Sequence, residues 1–273
     1  MKKHFILLNF ILFLALSCVS SQSTKDQSNE PELIWFEDFD GAGLNQGDWN
    51  LQTGTGSEYG LTGWGNNELQ YYTGRKENVY LENGFLIIEA RRENYEGQNY
   101  TSGRITTKGK KDWKYGVFEI RAKLTKTQGI WPAIWMLPTT NEYGGWPRSG
   151  EIDIMEQLGH QPDTVYGTVH FGNSFNDRSH ISGKVWKSEG SYSDDFHIYK
   201  IEWSENKISW YVDEQLYHEI SKENIEPYNW PFDQDFHLLL NVAVGGNWPG
   251  YPDESTILPQ RMLIDYIKVY QTQ

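Results

Sequence analysis

The chain has one cysteine, Cys18, in 273 residues, so no disulfide can form within it. It also lacks any strong basic cluster beyond the short stretch Lys108 to Lys114. With 24 Lys and Arg against 37 Asp and Glu, the formal charge is −13, which argues against a nucleic-acid partner. Sustained 3.6-residue hydrophobic periodicity is missing, which excludes a helical bundle. No internal repeat is found, which excludes a propeller or a parallel β-helix. The longest apolar run, Phe5 to Leu16, is too short to cross a bilayer in the usual way.

Aromatic residues are plentiful, with 12 Trp and 17 Tyr, and glycine is frequent at 26. That mixture favours twisted strands and turns. An acidic surface rich in flat apolar rings suits a neutral polymer such as a carbohydrate better than a sulfated one. Period-2 alternation recurs in short runs separated by Gly, Pro, Asn and Asp, as in 85–90, 115–124, 165–171, 197–203, 208–212, 236–244 and 261–270. The expected fold is all-β: one jelly-roll sandwich of two curved antiparallel sheets with a concave cleft.

Lys2 and Lys3 followed by the apolar run make residues 1–17 a signal peptide. Leu14-Ala15-Leu16-Ser17-Cys18 resembles the lipobox of bacterial lipoproteins, with Cys18 as the lipidated residue; the alternative is an ordinary cleaved signal. Residues 18–30 are polar and aperiodic, as a tether would be, and the folded domain is expected over 31–273. These features predict export across the inner membrane and a lipid anchor in the bacterial envelope, at the outer membrane or cell surface. A monomer is expected, with the membrane met through the anchor alone.

The segment Gly150-Glu151-Ile152-Asp153-Ile154-Met155-Glu156 carries the chemistry. Residues two apart share a face of a strand, so Glu151 and Asp153 point one way while Ile152 and Ile154 enter the core. Strict alternation sends Glu156 to the buried face, where an unpaired carboxylate is costly. A β-bulge near Met155 would return it to the side of the other two acids. Three crowded carboxylates cannot all ionise freely, so one is expected to hold a proton near neutral pH, as a general acid must.

Several further segments frame this one. They include Gly63 to Tyr72 (GWGNNELQYY), Ser102 to Ile105, Tyr115 to Leu124, Trp131 to Pro138 (WPAIWMLP), Gly167 to His170 and Asn241 to Gly250 (NVAVGGNWPG). Together with Gly150 to Glu156 they resemble glycoside hydrolase family 16, in its laminarinase-like branch with the bulged Glu-x-Asp-x-x-Glu spacing. The resemblance implies a retaining endo-β-glucanase acting on β-1,3-glucan, mixed-linkage β-1,3/1,4-glucan, or both. Glu151 would be the nucleophile, Glu156 the acid/base and Asp153 a helper. Trp131, Trp135 and Trp146 would be sugar platforms, while Arg104, Asn67 and His170 would bond sugar hydroxyls or the catalytic carboxylates.

Catalysis would need no cofactor, but a structural calcium is implied on Asp38, the Gly84 carbonyl and Asp265. Linkage preference is expected to lie in the loops 54–65, 139–149 and 171–190. Two other readings stand beside this one: a non-catalytic glucan-binding protein, and a hydrolase of algal galactans, which would be expected to carry more Arg or Lys in its cleft.

Overall fold

A computed structural model describes residues 31–271; the segments expected to be signal peptide and tether, with Cys18, lie outside the described residues. Alternating apolar side chains set the layers. A ten-stranded sheet has Gly116–Lys123 near its centre, between His197–Ser204 and Gln260–Gln271. A seven-stranded sheet runs in the order Asp177–Trp186, Thr164–Ser174, Glu151–Glu156, Ile130–Pro138, Phe236–Val244, Arg104–Thr106, Asn50–Leu51. All pairings in that second sheet are antiparallel. The seven runs read as strands from the sequence are all strands here.

The core lies between the sheets. From one side come Phe118, Ile120, Tyr199, Ile201 and Trp203, and from the other Ile134, Met136, Ile152, Val169, Leu238, Leu240 and Val242. The intervening residues of the seven-stranded sheet, among them Trp131, Ala133, Trp135, Tyr166, Thr168, Leu239 and Asn241, therefore face outward and line a cleft. One strand thus serves core and cleft at once.

The expected bulge is present in the acidic strand. Against Ile130–Pro138 the register runs Asp153 to Trp135 and then Met155 to Ile134, so Ile154 is the extra residue. Against Thr164–Ser174 it jumps from Asp153–Thr168 to Glu156–Tyr166, with Gly167 between. Ile154 and Met155 both enter the core, and Glu156 emerges on the cleft face.

Trp210, beneath the sheet, and Gly167, in the neighbouring strand, support this irregularity. The Trp210 indole N–H donates to the Asp153 carbonyl at 2.8 Å. Its ring can lie that close because Gly167 has no side chain: a Cβ there would sit 2.4 Å from Trp210 Cδ1.

The positions expected to hold calcium carry contacts within the chain. Asp265 is ion-paired with Arg121, and Asp38 Oδ1 accepts the Asp40 N–H at 3.1 Å. The carboxylate facing Gly84 is that of Asp40, whose Oδ1 would lie 2.9 Å from a Cβ at that glycine. Asp265 thus already faces a cation, whose charge opposes a divalent ion. The sequence shows the three oxygen-bearing positions but not the guanidinium that pairs with Asp265.

Gly167→Ala is expected to drive a methyl group into Trp210 and cost about 1–3 kcal/mol of stability. Urea unfolding measures this, and an unchanged midpoint would show that Trp210 moves aside freely.

Candidate active site

The cleft encloses about 1210 Å3, and Glu151, Asp153 and Glu156 line its floor together. The turn before them depends on Gly150, at φ 81°, where a Cβ would meet Phe232 at 2.8 Å. All three loops expected to govern linkage contribute to the walls, through Tyr59, Leu61 and Trp64, through Asn141 and Trp146, and through Phe175, Arg178 and His180.

Each glutamate has one oxygen engaged by an indole. Trp146 Nε1 donates to Glu151 Oε2 at 2.8 Å, and Trp131 Nε1 donates to Glu156 Oε1 at 3.1 Å. His170, opposite Glu151 in the ladder, places Nε2 3.3 Å from Asp153 Oδ2 and 3.9 Å from Glu151 Oε1. Neither glutamate is turned into the hydrophobic interior.

The electrostatics differ between the two acids. Burial, reinforced by the Asp153 charge, pushes Glu156 well above the ordinary carboxylate range. The same causes raise Glu151 to about 7, but the His170 cation, the Trp146 N–H and the Arg104 charge oppose them. For His170, burial disfavours the imidazolium, yet Glu151, Asp153 and Glu156 outweigh it and raise the ring to about 10. The arrangement is a protonated Glu156 and an imidazolium set among carboxylates.

Glu151, Asp153 and His170 also offer one ligand atom each within 4.8 Å of one another, a spacing that a metal ion can bridge. A protonated imidazole has donors only, so His170 must lose its proton before it can ligate a metal.

Of the expected sugar contacts, Trp131, Trp135, Trp146, Arg104 and His170 line the cleft and Asn67 does not. Asn67 adopts φ 58°, which Asn tolerates, and its amide donates to Asn247 Oδ1 at 2.8 Å. Its neighbours Asn66 and Glu68 reach the cleft instead. Arg104 is held edge-on by Gln52 Oε1 at 2.6 Å and lies between the Trp64 and Trp135 rings, 4.5 and 4.7 Å from their centroids.

The structure adds residues that the sequence reading passed over. Trp135 Nε1 donates to Asn241 Oδ1 at 2.8 Å, Asn241 Nδ2 donates to the Tyr72 hydroxyl at 3.1 Å, and that hydroxyl donates to Glu68 Oε2 at 3.2 Å. This chain fixes the plane of the Trp135 ring. Period-2 alternation along Phe236–Val244 already puts Asn241 on the cleft face, so it was open to discovery; Phe175, at a hairpin tip, gave no such signal.

Comparison with known proteins agrees with this geometry. The chain is 44% identical over 278 residues to the beta-glucanase of Rhodothermus marinus, covering 96% of this chain and 93% of that protein. Its fold is similar to the laminarinase catalytic domain of Thermotoga maritima MSB8, with TM-score 0.83 and 50% identity over 89% of this chain and 99% of that one. It is also similar to the endo-beta-1,3-glucanase of Pyrococcus furiosus, with TM-score 0.82 and 44% identity over 88% and 94%. The family model for glycosyl hydrolases family 16 matches residues 64–268, and the chain belongs to that family.

Proposed function

We propose that the protein is a retaining endo-β-glucanase that hydrolyses β-1,3-glucan and mixed-linkage β-1,3/1,4-glucan. The observation that carries this reading is the bulge-placed Glu156, buried with a raised proton affinity on the same face as Glu151. Glu156 gives its proton to the departing glycosidic oxygen while Glu151 attacks the anomeric carbon. Glu156, now ionised, takes a proton from water, which releases the sugar from Glu151. With Trp131 occupying Glu156 Oε1, the second oxygen is the one that carries the proton toward the substrate.

Asp153 sits between the two with Oδ2 3.3 Å from His170 Nε2, and its charge keeps the proton on Glu156. Trp135, its ring plane fixed and Arg104 against it, supplies a flat surface for a glucose ring. Assembly of all three acids disfavours a purely binding role. A galactan hydrolase for sulfated chains is disfavoured by the few Lys and Arg side chains lining the cleft: Arg104 is enclosed by two indoles, Arg178 is bound to the Phe175 carbonyl, and the third is Lys108. We further propose that the protein acts as a monomer, anchored in a bacterial envelope through Cys18, on the support of the sequence pattern around that residue.

Two experiments follow. The protein is expected to release reducing ends from laminarin and lichenan but not agarose, and Glu151→Gln to lose about 10³-fold or more of that activity while still binding laminarin. Activity unchanged by the substitution would refute the assignment. For the anchor, Cys18→Ser is expected to abolish palmitate incorporation during expression in a bacterial host; equal labelling of both forms would refute lipidation at this residue.

A further inference from the structure

The edge strand Asp177–Trp186 carries a feature that the cleft does not use. Alternation places Arg178, His180 and Ser182 in the cleft wall, and Lys184 and Trp186 continue the same row. From Ser182 to Trp186 is four strand steps, roughly 13 Å along the sheet. Trp186, opposite Thr164, is 64% exposed, against 39% for Trp146 and 41% for Trp248, both cleft residues. Packing within the chain does not account for an indole held so far into water.

Trp186 borders a separate groove of about 360 Å3, also lined by Lys187, Glu189, His197, Asp213 and Gln215. Its polar groups are fixed in advance. His197 Nδ1 lies 2.6 Å from Asp213 Oδ2, and His197 Nε2 lies 3.2 Å from Lys187 Nζ. These distances fit an Nδ1–H that donates to Asp213 and an Nε2 that accepts from Lys187. Asp213 Oδ1 accepts the Ile198 N–H at 2.9 Å, and the Lys187 ammonium lies 5.6 Å from the centre of the Tyr192 ring.

This combination selects a class of ligand. One ammonium stands among the carboxylates of Asp213 and Glu189, so there is no cationic cluster for phosphate or sulfate. An exposed flat ring beside fixed donors and acceptors suits the apolar face and the hydroxyls of a neutral sugar. Groups ordered before binding also lose little freedom when the ligand arrives.

We propose that this groove is a second glucan-binding site, outside the catalytic cleft, with Trp186 as its stacking platform. It holds a strand of the polymer while the cleft works on the chain. Naming the ligand as β-glucan rests on the glucanase reading above. The groove shares no lining residue with the catalytic cleft and contributes nothing to bond cleavage.

The test uses polymer and short substrate in parallel. In a Glu151→Gln background, Trp186→Ala is expected to weaken laminarin binding in affinity gel electrophoresis by about 2–10-fold, with Trp186→Phe recovering most of the loss. In the active protein, Trp186→Ala is expected to raise KM for laminarin while leaving kcat/KM on short β-1,3-gluco-oligosaccharides unchanged. Unchanged retention on laminarin would overturn the proposal. So would an equal loss on polymer and oligosaccharide, because Trp186 would then act through the cleft. If the parent protein neither cut nor bound laminarin, the glucanase reading would fail as well, which differs visibly from loss of the groove alone.

Discussion

One surplus residue in one strand governs the active site. Were Ile154 to take a regular place in the ladder, strict alternation over Glu151–Glu156 would send the two glutamates to opposite faces of the sheet, and no substrate could lie between them. The bulge is held from several directions. Ile154 and Met155 fill the core, Trp210 holds the Asp153 carbonyl from below, and the bare Cα of Gly167 leaves room for that indole. A catalytic property is thus secured by packing on the far side of the sheet.

Once the acids share a face, their surroundings divide the labour. Burial and the Asp153 charge favour protonation of both glutamates, while His170, Trp146 and Arg104 offset this at Glu151. Glu156 has the single Trp131 N–H as its hydrogen-bond support, with His170 as an attractive charge. The pair is therefore inequivalent before any sugar binds, as a proton donor and an attacking oxygen need to be. Around them the chain from Glu68 through Tyr72 and Asn241 to Trp135 links buried polar groups to the aromatic surface beside Arg104.

The alternation that exposes Trp131 and Trp135 and buries Ile134 and Met136 was legible in the sequence, because a half-buried strand repeats every two residues. The bulge was legible for an energetic reason: a glutamate buried among Ile and Met without a partner is too costly to be the native arrangement. The direction of Asn67 was not legible, because neighbouring residues in a tight loop are told apart only by backbone angle, and its positive φ turns it toward Asn247. The pairing of Arg121 with Asp265 was not legible, because the two lie 144 residues apart in sequence and meet only across the sheet. Phe175 and Trp186 lie where no periodicity separates a binding ring from an ordinary exposed one.

The central claim is that the bulge brings Glu156 into a site where it keeps its proton beside an acid that gives its own up more readily. The direct measurement is a 13C NMR titration of the glutamate side-chain carboxyls, with Glu151 and Glu156 assigned by substitution to Gln. The account predicts that both titrate above the ordinary carboxylate range and that Glu156 holds its proton to higher pH than Glu151. A Glu156 that ionises like an exposed glutamate, or that ionises before Glu151, would contradict it.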